Sequence, residues 1–424
     1  MGYGHSRAAE PLKDLAYKGS IITANNYEGI PEKDRKIWKK SEASYYFVSR
    51  LRDRGWWGKL AFNFFDRVQG IRSFYPRRDE FKPSLQLKQM YAIIKEGWGR
   101  DLIERLAKVP IPLITTFFTA AHMAEHWRYP GPIYVILTDA DISRAWAPLA
   151  PPVSNVFYLA PTSRAALRLE RFYGVHREKI FVTGFPLPKE LIGPRETIVR
   201  SDTLRRIDVL DPKGVFRKSH GPLIKKYLGA AVPQHRHERP VSVTYVVGGA
   251  GAQAAIGTSA LRSLAPLIRE KKVRLNLVAG IHGDIAEAFH KEVHSVMRVL
   301  RCDEEMVKIL QARTKERYFA LFNETLRETD VIWTKPSELS FYAGLGIPII
   351  IAPPLGAQER KNRGWLVTMG AGLDEFDSRY AHEWLPDLVL SGRLAEAALQ
   401  GFIKIRRNAV ERIGEIISSA GQKT

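Results

Sequence analysis

The chain has 424 residues, 45% of them apolar and 26% charged, and a formal net charge of +20. That length and apolar share imply two or three packed domains and exclude a disordered or fibrous protein, while the single cysteine, Cys302, excludes an internal disulfide and suits a reducing cytosol. The longest apolar runs, residues 110–121 and 347–354, are shorter than the roughly 18 residues a spanning helix needs, and no charged-then-apolar leader opens the chain, so a cytoplasmic location is expected.

From the N-terminus, the first element is a glycine-rich turn, Gly2-Tyr3-Gly4-His5-Ser6-Arg7. Its histidine is the side chain most readily poised for proton transfer near neutral pH. In a nucleotide-binding α/β fold such a turn follows the first strand. That strand is missing here, and a true start upstream of Met1 is the economical account of it. Glu10 to Tyr17 is predicted as a short helix, Ser20 to Ala24 as a strand, and residues 32–108 as amphipathic helices broken near Gly55, Gly70 and Pro76. Strands at Pro112 to Phe117, Ile133 to Leu137, Asn155 to Leu159 and Ile180 to Thr183 then alternate with helices at Thr119 to Trp127 and Ser163 to Tyr173. Such alternation marks a parallel, doubly wound sheet. Residues 189–240, basic, proline-rich and poorly periodic, are expected to be a linker with a helical insertion.

The alternation restarts with a strand at Val243 to Val247 and a second glycine turn, Gly248-Gly249-Ala250-Gly251-Ala252-Gln253, ahead of a helix reaching about Lys271. Strands follow at Arg274 to Ala279, Val307 to Leu310, Val331 to Trp333 and Ile347 to Ala352, with helices from Ile285 and from Arg317 to Glu328; Leu394 to Ile417 is predicted as one long amphipathic helix. The expected fold class is therefore α/β, with two Rossmann-like domains (1–188 and 241–393) facing a cleft, a basic connection (189–240) and a C-terminal helix (394–424). A glycine turn between strand and helix offers backbone N–H groups and a helix N-terminus to a phosphate. The second half should thus hold a phosphate ester, and the first half, with His5, should carry chemistry.

Charge divides along the same line. Counting Lys and Arg against Asp and Glu, residues 1–239 carry +17 and residues 240–424 only +3. Residues 50–108 carry +7 and interleave their bases with aromatic groups, of which Trp56, Trp57, Phe64 and Phe65 are the expected membrane contacts. Aromatic rings beside Lys and Arg suit an anionic membrane surface; core aromatics under a solvated charged face are the alternative. No helix-turn-helix, RNP or zinc-finger pattern is present, and no nucleic-acid partner is expected.

The densest polar motifs are Thr334-Lys335-Pro336-Ser337-Glu338 and Gly356-Ala357-Gln358-Glu359-Arg360-Lys361-Asn362. Each falls just past the carboxyl end of a predicted strand, where open parallel sheets bind ligands. A carboxylate there can take two ribose hydroxyls, and Gln358, Glu359 and Asn362 offer groups for sugar hydroxyls. Asp139-Ala140-Asp141 has the spacing of a metal-holding acid pair. It lies far in sequence from the Gly248 turn, whose helix-terminal amides already supply leaving-group stabilisation, and no metal is expected there. His122 and His126, four apart without a third ligand, read as core or surface.

Together these residues resemble the GT-B glycosyltransferases of the group containing the processive diacylglycerol glucosyltransferases, the monogalactosyldiacylglycerol synthases and the lipid-intermediate N-acetylglucosaminyltransferase of peptidoglycan synthesis. The resemblance runs from the Gly2 turn through Trp57 to Phe65, Val135 to Asp139 with Trp146, and Ile180 to Pro186, into the Gly248 turn and Thr334 to Asn362; residues 189–240 match nothing in it. It implies inverting, metal-independent transfer of a hexose from a nucleotide diphosphate sugar, usually UDP-linked, to a lipid or lipid-like hydroxyl. The protein would sit peripherally on the cytoplasmic face of the membrane, with the sugar nucleotide as co-substrate and no further cofactor.

The resemblance places Gly2, Gly4 and His5 in the acceptor-side turn, with His5 as base or polarising group and Asp139 as a second candidate. Gly248, Gly249, Gly251, Ala252 and Gln253 would cradle the diphosphate, and Gly280, Ile281 and His282 would border the nucleobase. Glu338 would meet the ribose, with Ser337 beside it among the donor-binding residues, while Gln358 and Glu359, with Asn362 nearby, would hold the sugar. The group's ribose acid usually stands eight residues before the proline of a Gly-Leu-Pro or Gly-Val-Pro run, whereas Glu338 stands ten before Pro348. Either Glu338 takes the ribose role from a shifted helix start, or the donor preference has changed. A same-fold epimerase, needing acids and a histidine from both halves around the sugar, and a non-catalytic nucleotide-sugar-binding protein are the rival readings.

Overall fold

The computed structural model describes residues 3–51, 70–231, 239–249, 251, 253–300 and 304–421. Among them, ten strands form two all-parallel sheets. In the first, β1 (Leu113–Thr115), β2 (Ile133–Ile136), β3 (Val156–Ala160) and β4 (Ile180–Val182) lie side by side in sequence order. In the second, β5 (Val241–Val246), β6 (Val273–Gly280), β7 (Val307–Gln311), β8 (Val331–Thr334), β9 (Ile349–Ile351) and β10 (Gly372–Asp374) take the spatial order β10-β9-β8-β5-β6-β7. β2 and β8 are buried at every position, as strands covered on both faces must be. The two sheets make two Rossmann-like α/β domains. In the second, winding runs from β5 out to β7 and then resumes at β8 on the other flank of β5, so the order reverses between β5 and β8, and the carboxyl ends beside such a reversal are where open parallel sheets bind ligands.

The N-terminal turn is a short helix, α1 (Gly4–Ala9), followed by 3₁₀ turns. The strand expected at Ser20 to Ala24 does not form: Ile21 and Ile22 are both exposed, so no buried face selects a ladder there. The single C-terminal helix expected over Leu394 to Ile417 is two helices, Arg393–Lys404 and Ala409–Gly421. The chain extends at Ile405 between them, and Arg407 fills the break, donating to the carbonyls of Phe402 and Gly344 and to Glu196. The helices Ala357–Met369 and Ala381–Leu390 and the strand β10 lie beyond the sequence assignments.

Residues 189–240 contribute two 14-residue helices, Thr197–Leu210 and Val215–Leu228. The first is embedded in the second domain, and its buried Arg206 donates to the carbonyls of Leu326, Thr329 and Leu345. The halves share one apolar cluster that joins Tyr3, Ala8 and Leu12 to the core of the second sheet and reaches Tyr134, Ile136 and Leu159 of the first. Phe185 stacks on Phe341 across the junction, with centroids 4.8 Å apart and planes 9° apart.

Candidate functional site

The reversal between β5 and β8 sets the Gly248 turn beside Thr334–Lys335. A Cβ on Gly248 would meet the end of the Lys335 side chain, so the glycine lets that side chain lie directly against the turn. The turn is tight: Gly251 N–H donates to Gly248 O at 2.7 Å with Gly251 at φ +73°. Tyr245 Oη donates to Gln253 O at 2.6 Å and fixes the start of the helix Ala254–Arg269. No side chain caps that helix, which leaves its first N–H groups for an anion. The Gln253 amide turns away, to Pro353 O at 2.8 Å. His282 Nε2 donates to Gly249 O at 3.0 Å and braces the turn from the β6 side.

On the β8 side, the Lys335 ammonium pairs with the Glu359 carboxylate, whose second oxygen accepts from Leu355 N–H at 2.7 Å. Asn362 is wholly buried and its amide is fully engaged across the junction. Its Oδ1 accepts from Ala140 N–H at 2.7 Å, and its Nδ2 donates to Asp139 Oδ1 at 2.9 Å and Pro336 O at 3.2 Å. Asn362 therefore ties the end of β2 to the second domain, with both of its amide hydrogens spent inside the protein.

α1 is held between the halves by its own periodicity. Tyr3 and Arg7, four residues apart, share the face turned to the second domain. Tyr3 Oη accepts from Ile281 N–H at 3.0 Å, and a Cβ on Gly280 would fall 2.5 Å from that hydroxyl. Arg7, 2% exposed, donates to Tyr318 Oη at 2.5 Å, faces Glu338 at 3.3 Å and lies over Phe322, Phe319 and Tyr318 at 4.4 to 5.0 Å. Burial opposes its charge, but Tyr318, Tyr342 and Glu338 outweigh burial and hold the guanidinium above its ordinary range. Glu338 also packs against Gly4, where a Cβ would sit 3.4 Å from its carboxylate. The acid expected at the ribose is thus anchored to α1.

His5 lies on the other face of α1. Its Nδ1 donates to Thr116 O at 2.6 Å, just past β1, and its ring packs edge-on to Phe117. That bond fixes the tautomer and leaves Nε2 as the acceptor. Burial pulls its pKa below 6.5, although the Thr116 bond and the Glu338 charge pull the other way, so the ring is neutral at pH 7. Asp139 is pushed up to about 6, chiefly by burial, against the Asn362 bond, with Glu338 and Glu359 adding repulsion and Lys335 relieving it. Asp141 answers the metal-pair spacing differently: its carboxylate is consumed by Arg168 and by Arg164 at 3.2 Å.

The Asp139 shift carries a sign. A carboxyl whose folded pKa is raised stabilises the fold fully below about 3.8 and loses that contribution as pH rises through about 6. Asp139→Asn keeps the acceptor oxygen for Asn362 and removes the charge. Its thermal midpoint should exceed that of the wild type at about pH 8 and match it at about pH 4. Equal midpoints at the higher pH would show that Asp139 bears no such penalty.

The structure thus brings His5, Asp139, Gly248, Gly249, Gly251, His282, Glu338, Glu359 and Asn362 around one junction. It sends the Gln253 side chain elsewhere, leaves Gln358 exposed, and engages the Ile281 amide with Tyr3. Ser337 lies partly buried at the head of the 3₁₀ stretch Glu338–Leu345. Gly2, Ala252, Trp56, Trp57, Phe64 and Phe65 lie outside the described residues.

Residues 229–380 match a family model described as "Domain of unknown function (DUF6938)". No curated protein matches the chain. Among solved structures, the chain is similar to UDP-GlcNAc 2-epimerase of Neisseria meningitidis bound to UDP-GlcNAc, at 15% identity over 81% of this chain and 84% of that one, with a TM-score of 0.48. It is also similar to the S. aureus MnaA–UDP complex, at 13% identity over 79% of each chain with a TM-score of 0.46, and to a glycosyltransferase of Rickettsia africae, at 12% identity over 84% and 85% with a TM-score of 0.41.

Sequence reasoning named no role for Arg7, Tyr3, Lys335 or Thr116. Arg7 and Tyr3 stood inside the first glycine turn, and their i, i+4 spacing was the available signal. Lys335 stood in the Thr-Lys-Pro run after β8 and could be paired with Gly248 only once the strand order was known.

Proposed function

We propose that the cleft takes a nucleotide diphosphate sugar and transfers its hexose to a hydroxyl acceptor by a metal-independent, inverting displacement. The observation that carries this reading is a neutral His5, pinned through Nδ1 to Thr116 with Nε2 as the open acceptor, at the same junction as the uncapped helix behind the Gly248 turn. Nε2 would take the proton of the acceptor hydroxyl as its oxygen bonds to the anomeric carbon and the bond to the diphosphate breaks. Helix-terminal amides, with the Lys335 ammonium close by, would stabilise the charge on the departing diphosphate. Asp139, Glu338 and Glu359 ring the same junction and would position the sugar and its incoming hydroxyl.

A lipid or lipid-like acceptor at an anionic membrane surface is supported by the charge asymmetry of the chain. Among the described residues no helix is long and apolar enough to cross a membrane, so such contact would be peripheral. The epimerase reading is favoured by one observation of its own: acids and histidines come from both halves, His5 and Asp139 from the first and His282, Glu338 and Glu359 from the second.

One experiment separates the two. The protein is incubated in D₂O with a panel of sugar nucleotides, UDP-linked ones first, with and without diacylglycerol vesicles. UDP release that depends on vesicles, together with glycosylated lipid, supports transfer. Deuterium entering the recovered sugar nucleotide without acceptor would establish epimerisation and overturn transfer. Neither product, with UDP binding seen by calorimetry, would leave a nucleotide-sugar-binding protein.

A further inference from the structure

β5 and β6 begin at the end of the second sheet opposite the Gly248 turn. Val241 and Val273, their first residues, floor a cavity of about 680 Å³ walled by Leu267, Leu385 and Val389. Its size lies within the usual range for small-ligand sites, about 300 to 1,000 Å³. The helix Thr197–Leu210 and the segment after it close one side, which gives residues 189–240 a wall of a binding cavity as well as a place in the core.

The rim of this apolar cavity is cationic. Arg217, Arg239, Lys271 and Lys272 stand around it against one acid, Asp208. Three of the cations are spent: Arg239 on Asp330 at 2.6 Å, Arg217 on Asp208 and Asp211 at 3.2 Å, and Lys272 on Glu270 at 2.7 Å. Among the described residues, Lys271 has no carboxylate partner.

Lys271 is unusual in a second way. It ends the helix Ala254–Arg269 at φ +56°, with its own N–H on Ile268 O and the next N–H on Leu267 O. This left-handed position favours glycine, and a lysine there bears a conformational cost. The cost sets a lysine without a carboxylate partner on the lining of an apolar cavity.

We propose that this cavity binds a single-tailed anionic amphiphile, a long-chain fatty carboxylate, with the tail on the Val241–Val273 floor and the head group on Lys271. A neutral apolar ligand would leave the ammonium unused, and a small inorganic anion would leave the floor wet. The site lies at the far end of β5 from the glycine turn, so the proposal stands or falls apart from the proposed reaction.

The test is a calorimetric titration of dodecanoate, below its micellar range, into the full chain at about pH 8, with dodecanol as the neutral control. One saturable dodecanoate site is expected, with dodecanol weaker. Leu390→Trp, at a partly exposed position on the lining, should block it. Lys271→Gly should weaken dodecanoate by about fivefold, the scale of one exposed ion pair, while its thermal midpoint stays level or rises because glycine relieves the strained backbone. Absence of saturable binding, dodecanol binding as tightly as dodecanoate, or undiminished binding in both variants would overturn the proposal. A Lys271→Gly midpoint that falls with the affinity would assign the lysine to the fold and overturn its part in recognition.

Discussion

His5→Ala should cut transfer at least about 100-fold, within the range that a positioned general base contributes, and should leave affinity for UDP within about a factor of two. The separation follows from the faces of α1. His5 bonds to Thr116 of the first domain, whereas the contacts to the second domain come from Tyr3 and Arg7, which the substitution leaves in place. The pH profile supplies the companion result. Burial depresses the His5 pKa below 6.5, so the rate should be level at and above pH 7 and fall only on an acid limb below 6.5, as Nε2 becomes protonated. Residual transfer above about a tenth of wild type would remove His5 from the proton transfer.

Arg7→Met should be the most destabilising single change at the junction. The guanidinium is 2% exposed, its Glu338 partner is 11% exposed in its side chain, and the surrounding rings are those of Tyr3, Tyr318, Phe319, Phe322 and Tyr342. Methionine fills much of the volume but strands the Glu338 carboxylate, and breaking a buried pair from one side typically costs about 3 to 5 kcal/mol. Arg7→Lys should rescue poorly, because an ammonium cannot spread over the rings as a planar guanidinium does. Adding Glu338→Gln to Arg7→Met should recover part of the loss, and urea titration of the four proteins measures that coupling. A double variant no more stable than Arg7→Met alone would mean that the ion pair contributes little and that the rings carry the contact.

The fold was legible where periodicity was strong. Short apolar runs such as Val331 to Trp333 and Ile133 to Leu137, bounded by turn residues, suit strands buried on both faces, and the glycine turn after Val247 suits a strand-to-helix junction. Legibility failed where burial was polar. Thr197–Leu210 buries Asp202, Thr203, Arg206 and Asp208, so its apolar and charged residues are mixed around the helix and mark no single buried face, although Arg206 satisfies three carbonyls deep in the second domain. The break between the last two helices was equally hidden, because Ile405 suits a helix as well as the extended conformation that Arg407 stabilises.

At the candidate site, the sequence motifs name residues that come together at one junction, but not the bonds among them. Asn362 looked like a sugar ligand because its amide stood in a loop motif, and only the register of the two domains shows both ends of that amide spent on Asp139, Ala140 and Pro336. Glu338 likewise followed β8 as a ribose acid should, yet its partner, Arg7, lies more than 300 residues away.

α1 bears His5, the proposed base, on one face and, through Arg7 and the Tyr3 that caps it, the contacts to the second domain on the other. Were the halves to part, either His5 would leave Thr116 or Tyr3 would leave Ile281, and the base could not stand assembled over an open cleft. Stray water reaching a bound sugar nucleotide in that state would meet no proton acceptor. In the proposed reaction the helix would act as an interlock that spares the donor from futile hydrolysis, and the quantity that reports it is the rate of free hexose release when no acceptor is supplied.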